Sequence, residues 1–207
     1  RRGAAQGRSR PRGRPLPIAS TSMGSGFQHS GSSWREWAAA DRGDEVNALV
    51  TELSLEVRQK VLIDLERMSS IFSGIKSLSD KAFVTFQRTC DTSAPRLIEA
   101  LDARDWTQVH NLAHRLKGAS GYIAGERVNE AAKKLQKCAA KLMPMDEVVN
   151  VAAAASAFAA EADAREEQIP SLSEPMPTPE VAEALLKVLL MHLDELVVHI
   201  EKCHLNV

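Results

Sequence analysis

The sequence predicts an all-α protein: an antiparallel four-helix bundle with an extra N-terminal helix and an alanine-rich helix. Three observations carry this prediction. Of the 207 residues, 44% are hydrophobic and 26% charged, which supplies a helical core and a solvated surface. Aromatic residues are only 4%, and Val and Ile seldom alternate with polar residues, which argues against a sandwich or barrel. After Asp44, apolar residues instead recur at steps of three and four, the period of one helix face.

Residues 1–33 are rich in Gly, Ser and Pro and carry six Arg with no acid, so the remainder holds 20 basic and 27 acidic side chains, a net −7. Such a segment buries too little apolar surface to offset the entropy of ordering it. A disordered basic segment is therefore expected over 1–43, with the helical domain over 44–207 and its core over about 60–204. An acid-free, Arg- and Ser-rich terminus also has the composition of an organelle transit peptide. Because the chain opens on Arg1 rather than Met, further sequence is expected upstream. Trp34 and Trp37 can anchor this arm to the body or to a partner.

The acidic body does not suit nucleic-acid binding, whose affinity rests on neutralising phosphates. No apolar run reaches the ~18 residues of a membrane span. Cys90, Cys138 and Cys203 are odd in number and widely spaced, which reads as free thiols in a reducing compartment. The cytoplasm is expected, with the nucleus, or an organelle if 1–33 is a transit peptide, as alternatives.

Val46, Val50, Leu53, Val57, Val61, Leu65 and Met68 fall on one stripe and predict a single helix that stops near Ser69, Ser70 and Gly74. Ser79 or Asp80 is the expected cap of the next helix, where Phe83, Phe86, Cys90, Leu97 and Leu101 share a face. Pro95 should kink that helix; the alternative is a second helix capped by Ser93. Asp105 looks like the cap of a third helix that turns Trp106, Val109, Ala113, Leu116 and Ala119 inward, with a turn over Gly121–Gly125. A fourth carries Val128, Ala132, Leu135, Ala139 and Leu142 inward and ends before Pro144. Residues 146–165 read as the alanine-rich helix, and 166–179, with four prolines, as a linker. In the last helix Leu186, Leu189, Leu193, Leu196, Ile200 and Cys203 alternate steps of three and four. That pattern suits a bundle helix in a monomer, and leaves a coiled-coil dimer through 186–203 as an alternative.

The chemistry is concentrated in DWTQVHNLAHRLKGASGYIAG. On a wheel of 100° per residue, Leu112, Ala113, Leu116 and Ala119 take the buried side. His114, Lys117, Gly118 and Gly121 take the other, with His110 and Asn111 a turn earlier. An exposed imidazole near its ordinary pKa of ~6.5 is substantially neutral at pH 7, so a ring nitrogen can act as nucleophile. Lys117 would attract an anionic group there. Gly118 costs roughly 1 kcal/mol of helix stability relative to Ala, which is accounted for if a partner must reach the imidazole. His110 and His114 also have metal-ligand spacing, but no third ligand is near in sequence, so no metal site is expected. His192, His199 and His204 are expected at exposed or half-buried polar positions.

HRLKGAS resembles the H-x-L-K-G-x-S signature of histidine-containing phosphotransfer (HPt) domains of two-component phosphorelays. The similarity extends to the preceding D-W-x-x-V-x-x-L-A-H, to Phe83 and Phe86, and to the following V-x-x-A-A-x-x-L. It implies a four-helix bundle in which His114 accepts a phosphoryl group on Nε2 from the aspartyl phosphate of a receiver domain and passes it to another. Lys117 would support the phosphoryl group and Gly118 would give the receiver clearance. His110, Asn111, Arg115 and Gly121 would belong to the docking face. That face should be apolar around His114, with Lys117, Arg115 and Arg127 turned to an acidic receiver pocket. The implied partners are receiver domains of hybrid histidine kinases and response regulators. No cofactor is implied for this chain, Mg²⁺ being expected on the receiver. The chain departs from the family in having Ala124-Gly125 for Gly-Ala and Leu135-Gln136 for Leu-Glu. The long region before the last helix leaves open which C-terminal helix completes the bundle. No ATP-binding kinase motif occurs, so a relay intermediate rather than an enzyme is expected. The competing readings are a non-catalytic helical adaptor or coiled-coil protein, and an HPt module cut from a larger hybrid kinase.

Overall fold

The most regular apolar pattern in the chain becomes the centre of the fold. A computed structural model describes residues 34–144 and 176–205, all within the unit Gly31–Val207, and places helices α1 (Trp34–Ala39), α2 (Asp44–Arg58), α3 (Leu65–Ile71), α4 (Lys76–Asp102), α5 (Trp106–Tyr122), α6 (Glu126–Leu142) and α7 (Pro179–Leu205). The alanine-rich segment 146–165 lies outside the described residues, as do 1–33 and most of the proline-rich stretch. No strand occurs among the described residues.

Helix α7 completes the bundle. It starts with Pro179, a residue whose fixed φ and missing N–H suit the first helical position. Leu186, Leu189, Leu190, Leu193 and Leu196 are fully buried, each contributing about 1.5–3 kcal/mol of hydrophobic stabilisation. Helices α4 and α6 pack on it, α5 packs between α4 and α6, and α1 and α2 lie along another side of α7. The seam that suggested a dimer is therefore consumed within one chain, and pairing two copies through 186–203 would require opening the core. Only three residues join α4 to α5 and α5 to α6, which makes both pairs antiparallel neighbours.

The described structure corrects the expected boundaries in several places. The segment 1–43 is not irregular throughout: Trp34 and Ala38 are buried on α1, and Lys187 of α7 donates to the carbonyl of Ala40 (2.6 Å) and to Asn47 Oδ1 (3.1 Å). The stripe from Val46 to Met68 is not one helix. Val46, Val50 and Val57 are buried, but Val61 and Leu65 are more than half exposed. The chain breaks at 59–64 because tertiary contacts outcompete the helix: Asp64 donates its N–H to the carbonyl of Ala124 (2.9 Å) and its carboxylate caps α3 through the N–H of Arg67 (2.9 Å). Helix α4 starts at Lys76, ahead of both expected caps, and Ser79 is buried inside it. It runs through Pro95 as one element, so Ser93 caps nothing; its buried hydroxyl has no partner. Pro95 is on the solvent side, where water can take the carbonyl that proline leaves unbonded.

Helices α3, α4 and α5 all end in the same paired hydrogen-bond motif without glycine at the left-handed position. Ser73, Arg104 and Ala124 have φ of 52°, 54° and 53°. In each case the following N–H returns to the carbonyl five residues back: Gly74 to Ser69 (2.8 Å), Asp105 to Ala100 (2.9 Å) and Gly125 to Ser120 (2.9 Å). The expected turn at Gly121–Gly125 is accordingly shorter, since Gly121 is still helical. Gly125 is needed for a different reason: a Cβ there would lie 2.8 Å from Leu196 Cδ2 in the core.

Candidate functional site

Helix α5 carries the site because its two faces are chemically opposite. Val109, Leu112, Ala113 and Leu116 are buried, and Asp105 fixes the start by accepting from the N–H of Gln108 (2.9 Å). With that register set, His114, Asn111, Arg115 and Gly118 are exposed, while His110, Lys117 and Gly121 are half-buried. A Cβ on Gly118 would meet nothing within 4 Å, so the fold itself does not demand glycine there. At Gly121 a Cβ would make only an ordinary contact with Asn129, at 3.6 Å.

The imidazole of His114 is held from the neighbouring helix. Gln136 of α6 is buried, and its amide nitrogen lies 3.2 Å from His114 Nδ1 and 3.1 Å from His110 Nε2. Nδ1 thus faces the bundle, and Nε2, across the ring, belongs to the exposed side. The sequence pointed to both histidines but not to the residue that joins them. A signal existed: Gln136 follows Ala132 by four and precedes Ala139 by three, both fully buried, so its amide falls on the inward face.

A second link fixes the turn of α5 that bears Lys117. Asn129 of α6 donates from Nδ2 to the carbonyl of Lys117 (2.7 Å) and lies 3.5 Å from Ser120 Oγ, while Ser120 itself donates to the same carbonyl (3.0 Å). Ser120 is fully buried, so it packs and bonds locally.

Two expectations about this face, and one about the last helix, are corrected. Arg127 does not face outward toward a partner: Nε donates to the carbonyl of Lys60 (2.8 Å) and Nη1 pairs with Glu195 (2.9 Å). It ties the α5–α6 turn to α7 instead. The surroundings of His114 are not apolar. Among the described residues of α5 and α6, Tyr122 is the one large apolar side chain that is well exposed, at 70%; it stands two turns along from His114. His192 is not a surface histidine. It is 1% exposed and pairs through Nδ1 with Glu195 Oε2 (3.1 Å). Burial lowers its pKa; the hydrogen bond and charge of Glu195 oppose that shift, and Arg127 and Arg58 add to it. The thiols of Cys90 and Cys138 are free and buried, pushed up to about 12 and about 11 by desolvation. They are inert at neutral pH. Among the described residues, no group of three or more His, Cys, Asp and Glu side chains gathers as a metal site, and no helix is long and apolar enough to cross a membrane.

The family model for the Hpt domain matches residues 82–196, more than half of the chain. The chain belongs to the Hpt domain family. The match begins within α4, ends within α7 and takes in all of α5 and α6, so it coincides with the four-helix bundle and leaves α1–α3 outside. No curated protein and no solved structure gives a significant match. Membership makes this a phosphotransfer module of phosphorelays, a class without kinase activity of its own that works with receiver domains.

Proposed function

We propose that this Hpt domain is a relay intermediate in which His114 accepts a phosphoryl group from the aspartyl phosphate of one receiver domain and delivers it to the aspartate of another. The observation that carries this reading is the contact between the Gln136 carboxamide and Nδ1 of an exposed His114, which turns Nε2 to the solvent side, where it is the attacking atom whenever the ring proton is on Nδ1. In the forward step the Nε2 lone pair forms the N–P bond while the P–O bond to the receiver's carboxylate breaks. The carboxylate leaves with the electron pair, and the ring keeps its other N–H as a phosphoimidazolium. The reverse attack by a second aspartate regenerates the free imidazole.

The chain contributes a positioned nucleophile. Lys117 supports the negative phosphoryl oxygens, and Gly118 admits the receiver's backbone. His110, Asn111, Arg115, Gly121 and Tyr122 form the rest of the docking face. The receiver brings the Mg²⁺ and with it most of the charge stabilisation of the transition state.

The test is incubation of the whole chain with a phosphorylated receiver. Label stable to base and labile to acid should appear on the wild-type chain and be absent from His114→Gln. Label that persists in His114→Gln overturns the assignment of the acceptor.

A further inference from the structure

We propose that His110 is a positioning residue that selects the tautomer of His114 through Gln136; this rests on His114 being the acceptor. A single atom of Gln136 links the two rings. The same terminal amide position of Gln136 lies 3.1 Å from His110 Nε2 and 3.2 Å from His114 Nδ1. One end of a carboxamide is either an NH₂, which only donates, or an oxygen, which only accepts. The two ring nitrogens that face it must therefore be alike.

Opposite the NH₂, both are lone-pair acceptors. The proton of neutral His114 is then on Nε2, and the outer nitrogen has no lone pair for attack on phosphorus. With the amide turned by 180° about its Cγ–Cδ bond, the oxygen faces both rings. His114 then donates from Nδ1, its Nε2 is bare, and His110 donates from Nε2. The reactive form of His114 thus comes paired with a proton on Nε2 of His110. Gln136 is only 8% exposed, so the bond it must keep with both rings is costly to leave unmade.

Asn111 extends the chain of choices. Its Oδ1 is 3.4 Å from His110 Nδ1, which suits a proton on that nitrogen and hence the unreactive arrangement. Turning the Asn111 amide presents an NH₂ to a bare Nδ1 and favours the reactive one. An exposed amide beside His110, on the side a receiver approaches, can report docking to the acceptor ring. Phosphoryl transfer itself is unchanged in its balance, since the Nδ1 proton of His114 stays on the ring throughout.

The test is ¹⁵N–¹H long-range NMR on the ¹⁵N-labelled whole chain at about pH 8, above the ordinary imidazole range. These spectra report which nitrogen of each ring is protonated. In the wild type the two rings should move together: Nδ1–H on His114 with Nε2–H on His110, or neither. In His110→Ala, His114 should lose its Nδ1–H population and the transfer rate at saturating receiver should fall several-fold. Adding Gln136→Glu to His110→Ala should restore the rate, because a carboxylate accepts from Nδ1–H without His110. Rings whose tautomers vary independently in the wild type overturn the proposal, and so does His110→Ala with an unchanged His114 tautomer. A chain that takes label on His114 and still shows independent rings fails this inference alone. Label that survives His114→Gln fails the acceptor assignment instead.

Discussion

Gln136 on α6 and His114 on α5 meet at 3.2 Å, amide nitrogen to Nδ1, at the edge of the exposed face of α5. The bond fixes the ring plane from behind and leaves the front open. Gln136→Leu keeps the volume and removes the bond. A single hydrogen bond of roughly 0.5–1.5 kcal/mol corresponds to a loss of up to about tenfold in rate. The initial rate of label transfer from a phosphorylated receiver should fall by that order, with the circular dichroism unchanged. An unaltered rate would remove Gln136 from the site.

Gly118 separates folding from docking. Because a Cβ there meets nothing within 4 Å, Gly118→Ala should stabilise the chain by about 1 kcal/mol and raise its melting temperature. Gly118→Glu should fold equally well but bind a receiver more weakly. Equal receiver affinity for Glu and Gly at this position would end the clearance argument.

Tyr122, on the proposed docking face, is the large apolar side chain of α5 that is well exposed, at 70%. Exposed aromatics of this kind carry interface energy out of proportion to their number. Tyr122→Ala should cost about 1–2 kcal/mol of receiver binding in a calorimetric titration and leave the melting temperature in place.

Arg104 holds φ 54° at the end of α4, a conformation that strains any residue with a Cβ. Arg104→Gly relieves the strain at some cost in unfolded-state entropy. The net expectation is a gain of about 0.5–1 kcal/mol in urea unfolding, with phosphotransfer unaffected because Arg104 precedes α5 and takes no part in the contacts of Gln136 with His110 and His114.

His192 should make stability depend on pH. Burial lowers its pKa from the ordinary 6.5, with Arg127 and Arg58 adding to the effect and Glu195 opposing it. Below 6.5 the unfolded chain takes up the proton before the folded one does. Its contribution is therefore complete above that value and is lost as pH falls toward and through the lowered one. The urea midpoint should drop between about pH 7.5 and about pH 5.5, and His192→Leu should flatten that slope.

The heptad-like leucines of 186–203 illustrate what a one-dimensional pattern leaves open. Their spacing shows a helix with a buried stripe, yet a partner chain and the same chain's α4 and α6 satisfy it equally. Val61 and Leu65 show the converse. They fit the period of α2 and are exposed, because Asp64 bonds to Ala124, 60 positions later.

By itself the sequence determined the helical class, the capped start of α5 at Asp105, and the side on which His114, Lys117 and Gly118 stand. Those properties follow from local period and capping, which act over three or four residues. Only the tertiary structure decided that α7 completes the bundle, that Arg127 ties a turn to Glu195, and that Gln136 joins His110 to His114. Each of these is a contact between residues more than twenty positions apart, where packing rather than helical period chooses the partner.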